Sequence, residues 1–387
     1  MALWITLFAL FLILLLLISF SLTRRRDQKG EEGNHPYLEG LKHLLDGEKE
    51  EALQQLKLAV SLDTSNVDAY IRLGDLLRRN GKSDRALQLH LSLMVRPGIS
   101  KREKGSIARS IAEDYVQLRD PQKAISTLKK WVAENPKDFH AKEDLLSLYE
   151  EQKLWKEAYR LQKEILERKK PFDTLLLALY RAYIGEDCMK EGKLQEAREA
   201  LREALKLDRN CVPAILYLGD LSYSSGRIED AIEYWRRILK ETPHYAPLVF
   251  SRLEKAYFDR GRFSELEKIF EELVDQSPED TRTLFAQAEI YQKKGKDEDA
   301  VRIYEKILEL KPDPSRTRSA LSGLLEISLK RKNLEESRRH AKALSELLSI
   351  ENEVYACSNC GFESKEHLWR CPSCSEWTTF LPPSHAR

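Results

Sequence analysis

Two patterns of hydrophobic and polar positions divide this chain of 387 residues, and they predict different elements. From Ala2 to Leu22 no residue carries a charge, and apolar side chains dominate. About 20 residues of helix, rising about 1.5 Å each, cover the ~30 Å hydrocarbon core of a bilayer. From residue 37 onward, apolar and charged positions alternate in a motif that returns at a regular interval. This second pattern predicts a series of similar helical units.

The first pattern predicts a membrane anchor over residues 1–23, followed by a basic and polar linker over residues 24–36. Arg24, Arg25 and Arg26 follow the apolar run. Because cytoplasmic flanks of membrane spans carry an excess of basic residues, we expect the remainder of the chain in the cytoplasm. A cleaved signal peptide is the alternative, although its basic residues normally precede the apolar run. A buried helix of a soluble domain is disfavoured by the length of the run.

The second pattern is an internal repeat in which a small residue is followed by Gly seven positions later and by Ala five positions after that. Five copies are clear: Gly40/Gly47/Ala52, Gly74/Gly81/Ala86, Gly185/Gly192/Ala197, Gly219/Gly226/Ala231 and Ala288/Gly295/Ala300. Weaker copies lie in the gaps: Ala112/Arg119/Ala124, Leu146/Lys153/Ala158, Glu254/Gly261/Leu266 and Leu325/Lys332/Ser337. The commonest step is 34 residues. The sequence therefore predicts about nine repeats over residues 37–350.

Each member of the triplet has a physical role in a pair of helices. The small residue and the later Ala allow two antiparallel helices to cross closely. The central Gly, as in "RNGKSDRA", supplies a turn with positive φ. Four copies are followed by a proline that is expected to end the second helix: Pro136, Pro243, Pro278 and Pro312. Aromatic residues one helical turn after the third member, Trp235, Phe270 and Tyr304, are expected in the core.

A helix-turn-helix unit of about 34 residues resembles the tetratricopeptide repeat. That resemblance implies an all-α superhelical solenoid whose concave face binds segments of other proteins. The first helix of each pair would line that face, and its polar residues are mixed in sign: Arg72, Asp75, Arg109, Glu113, Asp220 and Tyr223. We expect most of these to be solvated, so none is assigned to a partner. Longer steps of the repeat predict insertions at residues 97–105 and 167–173, as solvated loops or as binding loops.

Composition and motifs disfavour several classes of function. Charged residues make up 33% of the chain, yet the formal net charge is +1, so no overall field favours nucleic acid. The segment "NGKSD" lacks the first Gly of a phosphate-binding loop, because position 76 is Leu. No HExxH, G-x-S-x-G or G-x-G-x-x-G motif occurs, and the eight histidines are scattered. We therefore predict that the protein is not an enzyme.

Four of the six cysteines lie in the segment "YACSNCGFESKEHLWRCPSCSEWTTF". Cys357 and Cys360 form one C-x2-C pair, and Cys371 and Cys374 form a second pair after ten intervening residues. Two such pairs can direct four thiolates onto one metal ion in a tetrahedron, at about 2.3 Å for zinc. The sequence therefore predicts a metal-binding domain over residues 351–387 with these four cysteines as ligands.

The residues around this segment agree with a metal site. Gly361 and Pro372 follow the cysteines and favour tight turns. Cys188 and Cys211 are isolated, so a disulfide framework is not expected and the compartment is predicted to be reducing.

Zinc and iron both accept four thiolates in a tetrahedron. The paired cysteines resemble those of rubredoxin, whose iron carries one electron, although this module is far shorter. A domain of fewer than about 40 residues needs a metal to fold, and zinc contributes on the order of 10 kcal/mol. Four aromatic residues supply a small core and surplus apolar surface, which we expect to dock on the end of the repeats: Phe362, Trp369, Trp377 and Phe380.

The order of these parts resembles the lipopolysaccharide assembly protein B family of Gram-negative bacteria over essentially the whole chain. The pattern CxxCG…WxCPxCxxW carries the resemblance most specifically, at Cys357, Cys360, Gly361, Trp369, Cys371, Pro372, Cys374 and Trp377. The resemblance implies a single-pass inner-membrane protein whose bulk faces the cytoplasm. It also implies an adaptor that brings the LpxC deacetylase to the FtsH protease for degradation and contacts other lipopolysaccharide assembly proteins. An iron-thiolate electron-transfer protein and a scaffold for another inner-membrane complex are the alternatives.

Overall fold

The computed structural model describes residues 35–167, 174–347 and 355–381. The predicted anchor at residues 1–23, most of the linker and most of the insertion at 167–173 lie outside the described residues. No helix in the described part of the chain combines the length and the apolar character needed to cross a membrane.

The chain divides into two compact units, Met1–Ile184 and Gly185–Arg387. The helices described in the first unit are α1 (35–46), α2 (Lys49–Leu62), α3 (Val67–Arg79), α4 (Ser83–Met94), α5 (Lys101–Gln117), α6 (Pro121–Glu134), α7 (Phe139–Glu151), α8 (Trp155–Leu166) and the beginning of α9 (Leu175–Lys190).

The second unit contains the end of α9, nine further α-helices and one 3-10 helix among its described residues. These are α10 (Leu194–Leu207), α11 (Val212–Ser224), α12 (Ile228–Glu241), the 3-10 helix (Pro243–Leu248), α13 (Phe250–Asp259), α14 (Phe263–Gln276), α15 (Thr281–Lys293), α16 (Asp297–Glu309), α17 (Pro314–Lys330) and α18 (Leu334–Leu347).

The helices follow one another in pairs, and the residues 35–347 that are described contain nine such pairs. The predicted fold class is therefore confirmed: the body is all-α and built from tetratricopeptide-type helical pairs, and a small C-terminal sheet follows it.

Close helix crossing within each pair explains the small residues of the motif. The third-position alanines of the five clear copies are fully buried: Ala52, Ala86, Ala197, Ala231 and Ala300. A methyl group added at Gly74 would overlap the ring of His90, and one added at Gly219 would overlap the indole of Trp235. Trp235, Phe270 and Tyr304 are at most 2% exposed, which confirms their predicted place in the core.

The turn between the two helices of a pair requires a residue with positive φ. The motif glycines adopt it, with φ of 74° at Gly81 and 73° at Gly295, for example. The structure adds that three weaker copies keep this geometry without glycine, at Arg119 (59°), Lys153 (54°) and Lys332 (58°). The turn is thus set by the packing of the pair rather than by the glycine.

Helix ends follow the sequence signals with one correction. The four prolines lie two or three residues beyond the ends of α6, α12, α14 and α16, as predicted. The insertion expected at 97–105 is shorter than predicted, because α5 already begins at Lys101. Ser100 and Glu103 form a capping box there, in which each side chain bonds to the backbone of the other residue, and this stabilises the helix start.

The C-terminal module is a three-stranded antiparallel sheet of β1 (Tyr355–Cys357), β2 (Glu363–Ser364) and β3 (Phe380–Leu381), in the order β2-β1-β3. Ala356 pairs with Glu363 on one side and with Leu381 on the other. We call this module the ribbon. An isolated bridge between Arg370 and Trp377 closes its second hairpin.

Candidate metal centre

The ribbon brings the four predicted cysteines together. Their Sγ atoms all lie within 4.8 Å of one another. The Sγ atoms of Cys357 and Cys374 are 3.6 Å apart, and so are those of Cys360 and Cys371. Cys357 and Cys371 are buried, whereas Cys360 is exposed.

The two C-x2-C pairs have the same backbone hydrogen bonds. The N–H of Cys357 donates to the carbonyl of Phe362 over 2.9 Å, and the N–H of Gly361 donates to the carbonyl of Cys357 over 2.8 Å. In the second pair, Cys371 donates to Glu376 over 2.8 Å and Ser375 donates to Cys371 over 2.9 Å. Each pair is therefore a turn that aims both of its sulfurs inward.

Positive φ is needed at the end of each turn, as Gly361 (75°) and Ser375 (62°) show. Sequence reasoning identified Gly361 for this role. It missed Ser375, whose only signal is its equivalent place, one residue after the second cysteine of its pair.

Hydrogen bonds around the sulfurs favour thiolates at two of the positions. Burial opposes ionisation of Cys357, but Thr379 Oγ1, 3.1 Å from its Sγ, and the backbone N–H groups of Cys360 and Asn359 lower the pKa of its thiol to about 6. The side chain of Asn359 and the N–H of Glu376 lower the pKa of Cys374.

Cys371 lies in a different environment. Its burial raises the pKa of its thiol to about 11. A cation among the four sulfurs offsets this kind of desolvation penalty, since a metal-bound thiol is deprotonated outright.

This arrangement fits one tetrahedral metal ion. Four sulfurs at about 2.3 Å from a central zinc are about 3.8 Å apart, close to the two distances of 3.6 Å. The centre could therefore bind one metal ion, and zinc and iron both suit four thiolates. His367 lies outside the cluster, as do Cys188 and Cys211. Burial raises the pKa of Cys211 to about 12, which leaves it a neutral thiol.

The ribbon packs against the repeats through aromatic rings, but not at the place predicted. The Tyr245 ring, in the 3-10 helix that precedes α13, lies 5.2 Å from Trp369 and 5.9 Å from His367, centroid to centroid. His367 in turn lies 5.5 Å from Tyr355 and 4.4 Å from Trp369. These contacts place the ribbon on the segment between α12 and α13, whereas the sequence suggested the end of the repeats. We call the four rings the aromatic contact.

The candidate groove residues are bound mainly to neighbouring repeats. In the first unit, Arg109 Nε donates to Asp144 over 2.5 Å, and Asp75 accepts from Ser110 over 3.1 Å. Arg72 is the exception, because it pairs with Asp68 on its own helix. Polar residues at these positions therefore connect successive repeats.

The second unit repeats this arrangement. Arg252 donates to both carboxylate oxygens of Asp220, over 2.7 and 3.1 Å, and Tyr223 bonds to Asp259. Partners lie 32 to 36 residues apart, which is about one repeat. The expectation that most of these residues are simply solvated is thus replaced by a structural role.

Fold and site together define a tetratricopeptide-repeat protein with a C-terminal four-cysteine metal-binding ribbon. Family models agree, since the rubredoxin metal binding domain matches residues 355–382 and tetratricopeptide repeat models match residues 110–174, 189–253 and 283–317.

Over nearly its whole length the chain is similar to lipopolysaccharide assembly protein B, as the sequence predicted. It is 23% identical to that protein from Haemophilus influenzae over 373 residues, covering 94% of this chain and 93% of the relative. The identity to the protein from Escherichia coli K12 is 22% over 366 residues, covering 92% of each.

Among solved structures, the C-terminal part of a TPR repeat-containing protein from Cytophaga hutchinsonii aligns with a TM-score of 0.36 and 16% identity. That alignment covers 73% of this chain and 96% of the other.

Proposed function

We propose that this protein is a membrane-anchored cytoplasmic adaptor that regulates lipopolysaccharide biosynthesis. The similarity to lipopolysaccharide assembly protein B over more than nine-tenths of both chains carries the proposal. In the structure the helical repeats precede the ribbon, which is the order of parts on which the resemblance was based. By that resemblance the adaptor presents the LpxC deacetylase to the FtsH protease and contacts other lipopolysaccharide assembly proteins.

We assign each segment of the chain its own role, in sequence order. Residues 1–23 anchor it in the inner membrane, residues 24–36 form the linker, residues 37–350 bind protein partners, and residues 351–387 bind one metal ion. Cys357, Cys360, Cys371 and Cys374 are the proposed metal ligands, supported by their mutual distances and their hydrogen bonds. When bound, the metal supplies a structural cross-link for a module with a very small core.

Regulation would work by proximity and not by catalysis in this chain. A client held on an anchored repeat surface meets a membrane protease at an effective concentration in the millimolar range. The chemistry of degradation belongs to the protease. The adaptor needs only a surface for the client and a surface for the protease, which is what helical repeats provide.

Depletion of the protein from its own bacterium tests the proposal. We expect the half-life of the deacetylase to lengthen severalfold and its abundance to rise, because the client no longer meets the protease. Re-expression of wild-type chain, or of a Cys188→Ser variant outside the cysteine cluster, should restore turnover. A deacetylase half-life that is unchanged by depletion refutes the proposed client.

The rubredoxin description of the ribbon also supports the second candidate, an electron-transfer protein. A visible absorption spectrum and metal analysis of purified protein separate the two. A colourless protein with one zinc ion excludes electron transfer by this centre, since zinc has no redox chemistry.

A further inference from the structure

The first unit contains a basic cavity that neither the metal centre nor the repeat motif explains. Its volume is about 700 Å³, and it lies between the beginning of α5 and the connection from α6 to α7. Five of its lining residues are basic: Lys101, Arg102, Arg109, Lys137 and His140. We call it the α5 cavity. Cavities of this size accommodate ligands or short peptide segments.

Three of these cations have no carboxylate partner among the residues that the structure describes. Arg109 pairs with Asp144, and His140 Nδ1 lies 3.7 Å from Glu143. By contrast, Lys101, Arg102 and Lys137 make no ion pair in the described part of the chain, and all three are exposed. Because they line the cavity and are exposed, their charges are available to an anion.

Asp138, the acidic residue in the lining, already accepts two hydrogen bonds. Its Oδ1 accepts from the N–H of Ala141 at the start of α7 over 3.1 Å, and its Oδ2 accepts from Trp131 Nε1 over 2.8 Å. Both oxygens therefore accept from neutral donors, and Asp138 forms no ion pair in the described part of the chain, although its charge also acts on Arg109.

Part of the lining is apolar. Trp131 presents part of its indole there and Pro136 lies beside it. Gly105 keeps α5 close to this wall, because a Cβ at that position would come 2.8 Å from Asp138 Oδ2 and 3.3 Å from the indole. An indole next to unpaired cations suits a segment that carries both carboxylates and an apolar side chain, more than it suits an inorganic anion.

A second basic groove, lined in part by Arg198, Arg202 and Lys240 of the second unit, differs in one respect. Its volume is similar, about 630 Å³, but three acidic residues stand among its cations: Asp230, Glu233 and Glu241. Those carboxylates would repel an acidic segment, so this groove provides a control.

We propose that the α5 cavity binds an acidic peptide segment of a partner protein, with Lys101, Arg102 and Lys137 pairing with its carboxylates and Trp131 contacting an apolar side chain. Lys101 and Arg102 lie in the first turn of α5, directly after the connection in which the sequence predicted an insertion. This inference goes beyond the proposed function, because it requires neither the metal nor a particular client.

Fluorescence anisotropy of a labelled peptide tests it with the full-length protein in detergent. The probe is a short peptide of Glu and Asp with one central Leu, and its matched partner replaces every acid by Gln or Asn. We expect the acidic peptide to bind and its amide counterpart to bind at least about tenfold more weakly. The triple variant Lys101→Gln/Arg102→Gln/Lys137→Gln should weaken the acidic peptide about tenfold or more.

The triple variant Arg198→Gln/Arg202→Gln/Lys240→Gln removes the same charge from the second groove and should change the affinity less than about twofold. Trp131→Phe should weaken binding while leaving the helical circular dichroism unchanged. Equal losses in the two triple variants, or equal binding of the amide peptide, overturn the proposal. So does tight binding of inorganic phosphate or anionic vesicles at this cavity with no binding of the acidic peptide.

Discussion

His90 Nδ1 lies 2.6 Å from Asp114 Oδ2, and both side chains are fully buried. Arg78 Nη1 donates to the other carboxylate oxygen of Asp114 over 2.9 Å. Arg78 lies at the end of α3, His90 in α4 and Asp114 in α5, so one carboxylate ties the second helical pair to the third. Arg78 also pairs with Asp75 and Glu113. Removing one charge from such a buried network costs several kcal/mol, because the remaining groups stay desolvated.

Replacement of this carboxylate should therefore destabilise the first unit. We expect Asp114→Asn to lower the free energy of unfolding by about 3 kcal/mol, since Arg78 and His90 lose their shared charged acceptor. Urea titration followed by far-ultraviolet circular dichroism measures the change. Asp144→Asn is the matched control. The Arg109–Asp144 pair also joins the first helices of two successive pairs, but both side chains are about one-third exposed. Its loss should therefore cost less than about 1 kcal/mol. Similar losses in the two variants would contradict the role given to the buried network.

The turns without glycine predict gains in stability. Arg119→Gly, Lys153→Gly and Lys332→Gly should each raise the free energy of unfolding by about 0.5–1 kcal/mol, because glycine adopts positive φ without the steric penalty of a side chain. The extra entropy of glycine in the unfolded chain opposes part of this gain. Thermal and urea unfolding of each variant provide the measurement. Gln152→Gly, at the neighbouring position with a φ of −87°, should instead be destabilising; stabilisation there would show that the effect has another cause.

The repeat body was predictable because the residues that determine it are close together in the sequence. Gly74, Gly81 and Ala86 each serve contacts inside one helical pair, so their spacing shows the fold directly. The His90–Asp114 bond was missed because it joins two pairs, and its signal is weak: His90 occupies the position where other copies place Trp235 or Tyr304.

The cysteine cluster was predictable for the same reason, whereas the docking of the ribbon was not. Tyr245 and Trp369 are separated by more than a hundred residues, and no periodicity connects them. One local signal existed in retrospect. The segment "PHYAPL" places two prolines and a tyrosine where other copies pass directly into the next helix, and this is the 3-10 helix that receives the ribbon.

Loss of one cysteine should remove the metal and unfold the ribbon alone. We expect Cys371→Ser to reduce the metal content from one ion per chain to nearly none, since three thiolates hold a tetrahedral ion much less tightly. Helical circular dichroism should remain nearly unchanged, because the helices do not depend on the site. Elemental analysis and hydrogen exchange of residues 355–381 report the two effects. Cys188→Ser should retain the metal, and a metal-free wild-type protein with a protected ribbon would refute the ligand assignment.

The aromatic contact predicts a dependence of docking on pH. Burial lowers the pKa of His367 to about 4, whereas an exposed histidine titrates near pH 6.5. The docked ribbon thus disfavours the protonated ring of His367. The contribution of this residue to docking is complete above about pH 6.5 and declines as the pH falls toward 4. The facing rings of Tyr245, Tyr355 and Trp369 carry no charge in this range. Allowing for partial exposure of the histidine, the loss is on the order of 2 kcal/mol.

Hydrogen exchange of the 3-10 helix Pro243–Leu248 measures this loss. The exchange rates are corrected for the intrinsic rates, and the resulting protection is compared between about pH 7 and pH 5. Protection of this segment should fall in the wild type and stay constant in His367→Phe, whose ring packs against Tyr245 without a titratable group. Tyr245→Ala should be poorly protected at both values, because the receiving ring is absent. Metal content followed in parallel separates docking from acid release of the ion. A wild type and a His367→Phe variant that lose protection equally, with the metal retained in both, would show that another group controls the docking.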